Sequence, residues 1–254
     1  MAKSREIELA DGTVIPILYE DRSVLVLDKP AGWLMIPTSW EKTGRNLQLA
    51  LESSINGRDF WAGSRNIKFL RFVHRLDAET TGAVLFVRSA GAMHAYSELF
   101  EGREVEKTYL AVVSGVPGQA EWTCTLPIRP VPGTKSRMQT GKGADAKDAE
   151  THFRVLKSKT DTALVAARPL TGRTHQIRVH LASAGHPVIG DPLYGNDTGQ
   201  PLALRSIGLA YRDPFTHKSV KIMAPFAEFV RKFHFELTSD ELFRGSNRPT
   251  NAGL

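Results

Sequence analysis

Three short segments of this chain combine residue types that could do chemistry, and a fourth shapes a loop. His74-Arg75-Leu76-Asp77-Ala78-Glu79-Thr80, continuing into Thr81-Gly82, puts a carboxylate, an imidazole and a guanidinium just before the apolar run 83–87. An Asp at a strand end, partly desolvated and two residues from an arginine, could serve as a nucleophile or as a base. The same Asp could equally cap the backbone of a turn. Arg75 could be a surface charge whose ion pairing is worth little. His74 reads as a structural histidine more readily than as a ligand or base.

The second segment runs from Thr171-Gly172-Arg173-Thr174-His175-Gln176-Ile177-Arg178 on to His180-Leu181. As a helix over 171–184 it turns Ile177, Leu181 and Ala184 inward and sets Thr174 and Arg178 together on another face, one turn apart. A helix starting at Thr171-Gly172 would leave free backbone amides suited to a phosphate or carboxylate. Arg178 facing a cleft could pair with a buried Asp and favour its charged form. Without such a cleft the helix is simply amphipathic, with a solvated basic face. His175 and His180 are five apart, which does not put two ligands on one helix face, so a zinc site is rejected. In the third segment, 106–113, period-two alternation places Lys107 and Tyr109 on one strand face with Ala111 and Val113. There Tyr109 could stack on a base and Lys107 could meet a phosphate, although a strand tyrosine is more often packing. The fourth, 186–195, has two Pro and two Gly and reads as a shaped loop, as Lys29-Pro30-Ala31-Gly32 reads as a turn. Neither is chemical by itself.

Positioning these groups requires a framework. The pattern predicts strands at 17–19, 23–28, 34–36, 83–87, 107–114, 155–156, 163–167, 206–211 and 219–223. It predicts helices over 46–55, 90–100, 171–184 and 226–235, the first two carrying apolar residues at helical spacing. Residues 69–73 lead into the opening motif, and 57–67 read as loop. Residues 129–149, rich in Pro, Gly and Lys, read as a mobile basic insertion. The expected body spans 14–238, with flexible termini at 1–13 and 244–254. Strands and helices mingle without regular βαβ alternation, so the expected class is α/β of the α+β type, on a mixed, mainly antiparallel sheet flanked by helices.

Hydrophobic residues make up 41% of the 254 and charged residues 24%, enough for a real core. The net charge of +6 suits a polyanionic partner without demonstrating one. One cysteine excludes a disulfide framework and a cysteine-rich zinc site. With no signal-like N-terminus and no long apolar span, no membrane association is expected and the cytoplasm is the expected compartment.

Taken in order, "ILYEDRSVLVLDKPAGW", "HRLDAETTG", "EKTYLAVV", "GRTHQIRVHLASAGHPVIGDPLYG" and "LALRS" closely resemble the RluA-type family of RNA pseudouridine synthases. The likeness runs from about residue 17 to about residue 230. It implies one catalytic domain that isomerises uridine to pseudouridine in ribosomal or transfer RNA without a cofactor or metal. By that likeness Asp77 is the catalytic aspartate, Tyr109 stacks on the target base and Arg178 is the basic partner of the aspartate. By the same likeness Arg75 enters the RNA helix as the uridine flips out. Lys107, Arg173 and Thr174, basic or polar residues beside these, are expected to bind RNA as well. Thr81 stands where the family commonly has serine, which keeps a hydroxyl. The insertion near 135–147 is longer and more charged than the family leads one to expect. No S4-type RNA-binding module precedes the catalytic segment, which favours a locally recognised stem-loop. With no heptad pattern and no extra apolar face, a monomer with no obligatory protein partner is expected. Two rivals remain open. An RNA-binding protein without catalysis would not need Asp77, and a hydrolase of the sugar–base bond would release uracil.

Overall fold

Runs of apolar residues that alternate between two faces build a single large sheet. The computed structural model describes residues 3–35, 45–134, 136–196 and 199–244. In chain order its first elements are β1 (Glu6–Glu8), β2 (Val14–Glu20), β3 (Val24–Lys29), α1 (Leu47–Asn56), α2 (Phe60–Gly63), β4 (Arg71–Phe72), β5 (Thr81–Val87) and α3 (Ala90–Glu101). There follow β6 (Glu106–Ser114), β7 (Glu121–Cys124), β8 (Ile128–Pro130), β9 (Met138–Thr140), β10 (Thr151–Ser158) and β11 (Thr162–Pro169). The chain continues through α4 (Gln176–Ser183), β12 (Leu204–Arg212), β13 (Ser219–Met223), α5 (Ala227–Lys232) and α6 (Ser239–Phe243).

The main sheet has the order β1-β2-β3-β5-β12-β6-β11-β10-β7, with β13 beside β12 and β4 beside β5. All its pairings are antiparallel except β5 with β12. The strand period sorts side chains between two cores. Leu25, Leu27, Val84 and Phe86 join α1 and α4 in the larger one. Val24, Val26, Leu85 and Val87 face the other way and pack on Tyr96 and Leu99 of α3. The mixed, mainly antiparallel architecture with flanking helices is the one the sequence predicts. Among the described residues no helix is long and apolar enough to cross a membrane.

Several local expectations are corrected. Glu6–Glu8, assigned to a flexible terminus, pairs with β2 because Ile7 alternates with charged neighbours and is fully buried. Residues 57–67 contain the single turn α2, seated by buried Trp61 and Ala62. Among its described residues the stretch 129–149 is not plain loop: β8 and β9 pair antiparallel, and Ile128 and Ala149 bury themselves against Val179 of α4. The helix predicted over 171–184 begins only at Gln176, and the one over 226–235 shrinks to Ala227–Lys232. Leu34 makes only an isolated bridge with Asn46. Ile36 and residues 245–254 lie outside the described residues.

Candidate active site

Asp77 sits in the loop between β4 and β5, and both ends of that loop are anchored. At one end His74 Nε2 accepts the Leu85 backbone N–H at 3.0 Å, and the ring stacks on Phe100 at 4.5 Å. Burial, with Lys107 nearby, pushes its pKa down to about 3, so the ring is neutral and free to accept. The structural role predicted for His74 is the one this geometry supports. At the other end the fully buried Lys29 Nζ donates to the carbonyls of Ala78 (2.7 Å), Thr80 (3.0 Å) and Pro30 (3.0 Å). Burial lowers its pKa to about 8 against the opposing charges of Glu79 and Asp77. Gly82 then lets β5 lie against β12: at φ 110°, any Cβ there would stand 2.0 Å from the Ser206 carbonyl oxygen.

The opposite wall is the turn 171–175 and the start of α4. The Gln176 carboxamide ties this turn to its neighbours. Its oxygen accepts from the Thr171 hydroxyl (2.6 Å) and the Arg173 N–H (2.9 Å). Its nitrogen donates to the Glu150 carbonyl and the Thr151 hydroxyl, both at 2.9 Å. The amides at Thr171-Gly172 are therefore not a helix-start anion site, which corrects that expectation. His175 precedes the helix in the left-handed region, at φ 55°. His180 is buried between the Thr151 hydroxyl (3.0 Å) and the Leu126 carbonyl (3.0 Å) and is structural. Among the described residues no cluster of three or more His, Cys, Asp or Glu could hold a metal.

Between the walls lies a carboxylate–guanidinium–carboxylate array. Arg178, only 5% exposed, donates from Nη1 to Asp77 Oδ2 at 3.1 Å. It also grips Asp191 with two parallel bonds, Nε to Oδ2 at 2.8 Å and Nη2 to Oδ1 at 2.7 Å. Asp191 is fully buried and its Oδ1 also accepts the N–H groups of Leu193 and Tyr194. Burial alone would raise the Asp191 carboxyl, but Arg178 and these amides hold it below the usual range. Asp191 thus balances the charge of Arg178 and fixes its plane, while Asp77 receives the remaining nitrogen. Among the described residues Asp77 Oδ1 has no hydrogen bond, and His175 Nε2 stands 3.9 Å from it.

Asp77, Tyr109, Arg178, Arg75, Lys107, Arg173 and Thr174 all line one cleft of about 460 Å³. Such a volume suits a small ligand or a single nucleotide unit. Tyr109 is 6% exposed, and burial raises its phenol far above the ordinary value. Lys107 Nζ donates to the Thr171 carbonyl at 3.3 Å, and burial, helped by Arg103, lowers its pKa to about 8. Arg75 is exposed and reaches across to the Thr174 hydroxyl at 2.5 Å. Arg173 is tied by Nε to the Asp148 carbonyl at 2.9 Å. Thr174 and Arg178 share the cleft but not a helix face, since Thr174 lies before the helix. The cleft therefore joins a carboxylate, a flat ring and several cations, which suits a base, its sugar and the flanking phosphates. The sequence reading missed Lys29, His175, Asp191 and Tyr194. The Gly190-Asp191-Pro192 turn within an apolar stretch is the signal that could have found Asp191, because an Asp there caps the following amides.

The chain matches the family model described as RNA pseudouridylate synthase over residues 23–183. It is 36% identical over 182 residues to an uncharacterized RNA pseudouridine synthase of Zymomonas mobilis, covering 71% of this chain and 78% of that one. It is 32% identical over 232 residues to the ribosomal large subunit pseudouridine synthase C of Escherichia coli, covering 85% and 68%. Its fold superposes on human RNA pseudouridylate synthase domain containing 1 with a TM-score of 0.71, at 25% identity, over 93% of this chain and 95% of that one. A family match over more than half of the chain and relatives above 30% identity establish that the chain belongs to the RluA-type family of RNA pseudouridine synthases and is an isomerase acting on RNA.

Proposed function

We propose that this enzyme converts a uridine in a stem-loop of ribosomal or transfer RNA to pseudouridine, that Asp77 is the catalytic carboxylate, and that the uridine flips into the cleft beside it. The observation that carries this reading is Asp77 itself: one oxygen is held by Arg178 at 3.1 Å and the other is unbonded among the described residues. In the isomerisation the N1–C1′ bond breaks, a C5–C1′ bond forms, C5 loses a proton and N1 gains one. No electrons enter or leave. A carboxylate at this place can attack the sugar or take a proton from it, with its other oxygen held by Arg178.

Tyr109 stacks on the flipped base, and Arg75 fills the vacated place in the RNA helix. Flipping costs a few kcal/mol, part of which such an insertion offsets. Lys107, Arg173 and Thr174 contact the flanking backbone. The name of the Escherichia coli relative supports ribosomal RNA as the first target class to test. The enzyme works as a monomer on this reading.

The test is tritium release from RNA labelled at C5 of uracil. Wild type releases tritium with no change in RNA mass. Asp77→Asn still binds RNA and releases at least about 10³-fold more slowly. Equal release by the two proteins removes Asp77 from the chemistry, and loss of uracil mass would point to glycosidic hydrolysis instead. Pseudouridine mapping in RNA from cells lacking the protein identifies the target.

A further inference from the structure

We propose that His175 is a positioning residue that holds the free oxygen of Asp77, and that it is kept in the required form by Tyr194 and the β8–β9 hairpin. The proposal rests on the reading of Asp77 as the catalytic carboxylate.

A chain of polar contacts runs from the hairpin to the cleft. The backbone N–H of Met138, in β9, donates to Tyr194 Oη at 2.8 Å. Tyr194 Oη lies 2.9 Å from His175 Nδ1. His175 Nε2 stands 3.9 Å from Asp77 Oδ1. With one lone pair taken by the Met138 N–H, the phenol hydrogen is the group available to bridge the 2.9 Å gap to Nδ1. Nδ1 then accepts, and the ring carries its proton on Nε2, which faces the carboxylate. The opposite tautomer would turn a lone pair toward a negative oxygen. Burial of the ring keeps it neutral, so the arrangement needs no second positive charge beside Arg178.

Two further observations fit a positioning role. His175 sits at φ 55°, a conformation uncommon for a residue with a side chain, immediately before α4, so its backbone aims the ring away from the helix path and along the cleft wall. The Tyr194 ring is itself fixed, edge-on to His175 at 5.7 Å and under the Arg178 guanidinium at 5.2 Å. Arg178 and His175 together then define the plane of the carboxylate, one through each oxygen. The 3.9 Å separation is longer than a hydrogen bond, and on this proposal it shortens when a nucleotide fills the cleft. The β8–β9 hairpin, which carries Arg137 over the Tyr194 ring at 5.9 Å, thereby becomes part of the support for Asp77.

The experiment has a spectroscopic and a kinetic arm, both on the full chain. Long-range proton–nitrogen correlation with ¹⁵N-labelled histidine, assigned by comparison with His175→Asn, reads the tautomer. Wild type shows His175 protonated at Nε2 and unprotonated at Nδ1. In the kinetic arm, His175→Asn suits the left-handed backbone and still offers Tyr194 an acceptor, but it is too short to reach Asp77. It binds RNA with unchanged affinity and melts at an unchanged temperature, while its single-turnover tritium release falls about tenfold or more. Tyr194→Phe keeps the ring contacts and slows release by less. The double variant is no slower than His175→Asn alone, because the two act in series. An Nδ1-protonated ring in wild type, or wild-type turnover of bound RNA by His175→Asn, overturns the proposal. Full release by Asp77→Asn instead overturns the reading of Asp77, and the tautomer measurement is independent of that result.

Discussion

Arg178 and Arg75 line the same cleft and are held in opposite ways. Arg178 is nearly buried and spends three nitrogens on two carboxylates. Arg75 is exposed, and its hydrogen bond among the described residues is to a hydroxyl, that of Thr174. A buried guanidinium gripped by a fully buried carboxylate cannot leave without stranding a charge. An exposed one held by a neutral hydroxyl can leave at little cost. The difference divides the cleft into a fixed side, which can aim a reacting group, and a movable side, which can follow RNA. The loop that carries Asp77 repeats the contrast: His74 and Lys29 fasten its ends, and Arg75 projects between them.

The strongest test of the fixed side is Asp191→Ala. It leaves Arg178 buried with Asp77 as its remaining anion, and it should cost about 3–5 kcal/mol of stability in urea denaturation. Asp77→Ala should cost clearly less, because Asp191 still neutralises Arg178. Equal losses would mean that the two carboxylates share the charge evenly, and the division into anchor and reacting group would fail.

The movable side predicts the reverse pattern. Arg75→Ala should change stability by no more than about 0.5 kcal/mol. It should slow turnover of bound RNA about tenfold, or roughly 1.4 kcal/mol, with a smaller effect on RNA affinity. A large loss of affinity with normal turnover of bound RNA would make Arg75 a plain phosphate contact.

The anchored end of the loop has a pH signature. The unfolded His74 imidazole titrates near 6.5 and the folded one near 3. Between those values the unfolded chain binds more protons, so stability falls as pH falls from 6.5 toward 3. His74→Gln can still accept the Leu85 N–H and does not titrate. Between pH 6.5 and 5, wild type should lose about 1–2 kcal/mol more than this variant. Parallel curves would show that the ring is not held neutral by its surroundings.

The same contrast explains what could be read in the sequence. Asp77, Tyr109 and Arg178 were legible because each lies in a local pattern: a polar motif before an apolar strand, a period-two strand, and a helix with an inward stripe. The family likeness turned those patterns into roles, which the residues alone left open. Asp191 was not legible because its partner is 13 positions away and the pairing exists only in three dimensions. Lys29 likewise looked like part of a turn, since its acceptors at Ala78 and Thr80 are about fifty residues away. The 129–149 stretch looked mobile because the apolar surface that seats it belongs partly to Val179. The start of α4 was misplaced because Gln176, a good helix former, uses its side chain to satisfy the turn before it. In each case a distant or side-chain partner overrode the local pattern.

Tyr109 belongs to the fixed side by burial but is proposed to act through its ring face, and its phenylalanine variant gives the smallest and most discriminating effect. Its hydroxyl is held protonated by burial far above neutral pH, so it is poorly placed to serve as a base. If stacking is its contribution, Tyr109→Phe should keep turnover within about threefold of wild type, since the ring is unchanged. Tyr109→Leu should lose about 1–3 kcal/mol, the usual worth of a base–aromatic stack. Single-turnover tritium release measures both. A phenylalanine variant as slow as the leucine one would move the role from the ring to the hydroxyl. The fixed side would then supply a second proton-handling group beside Asp77, and not a platform for the base.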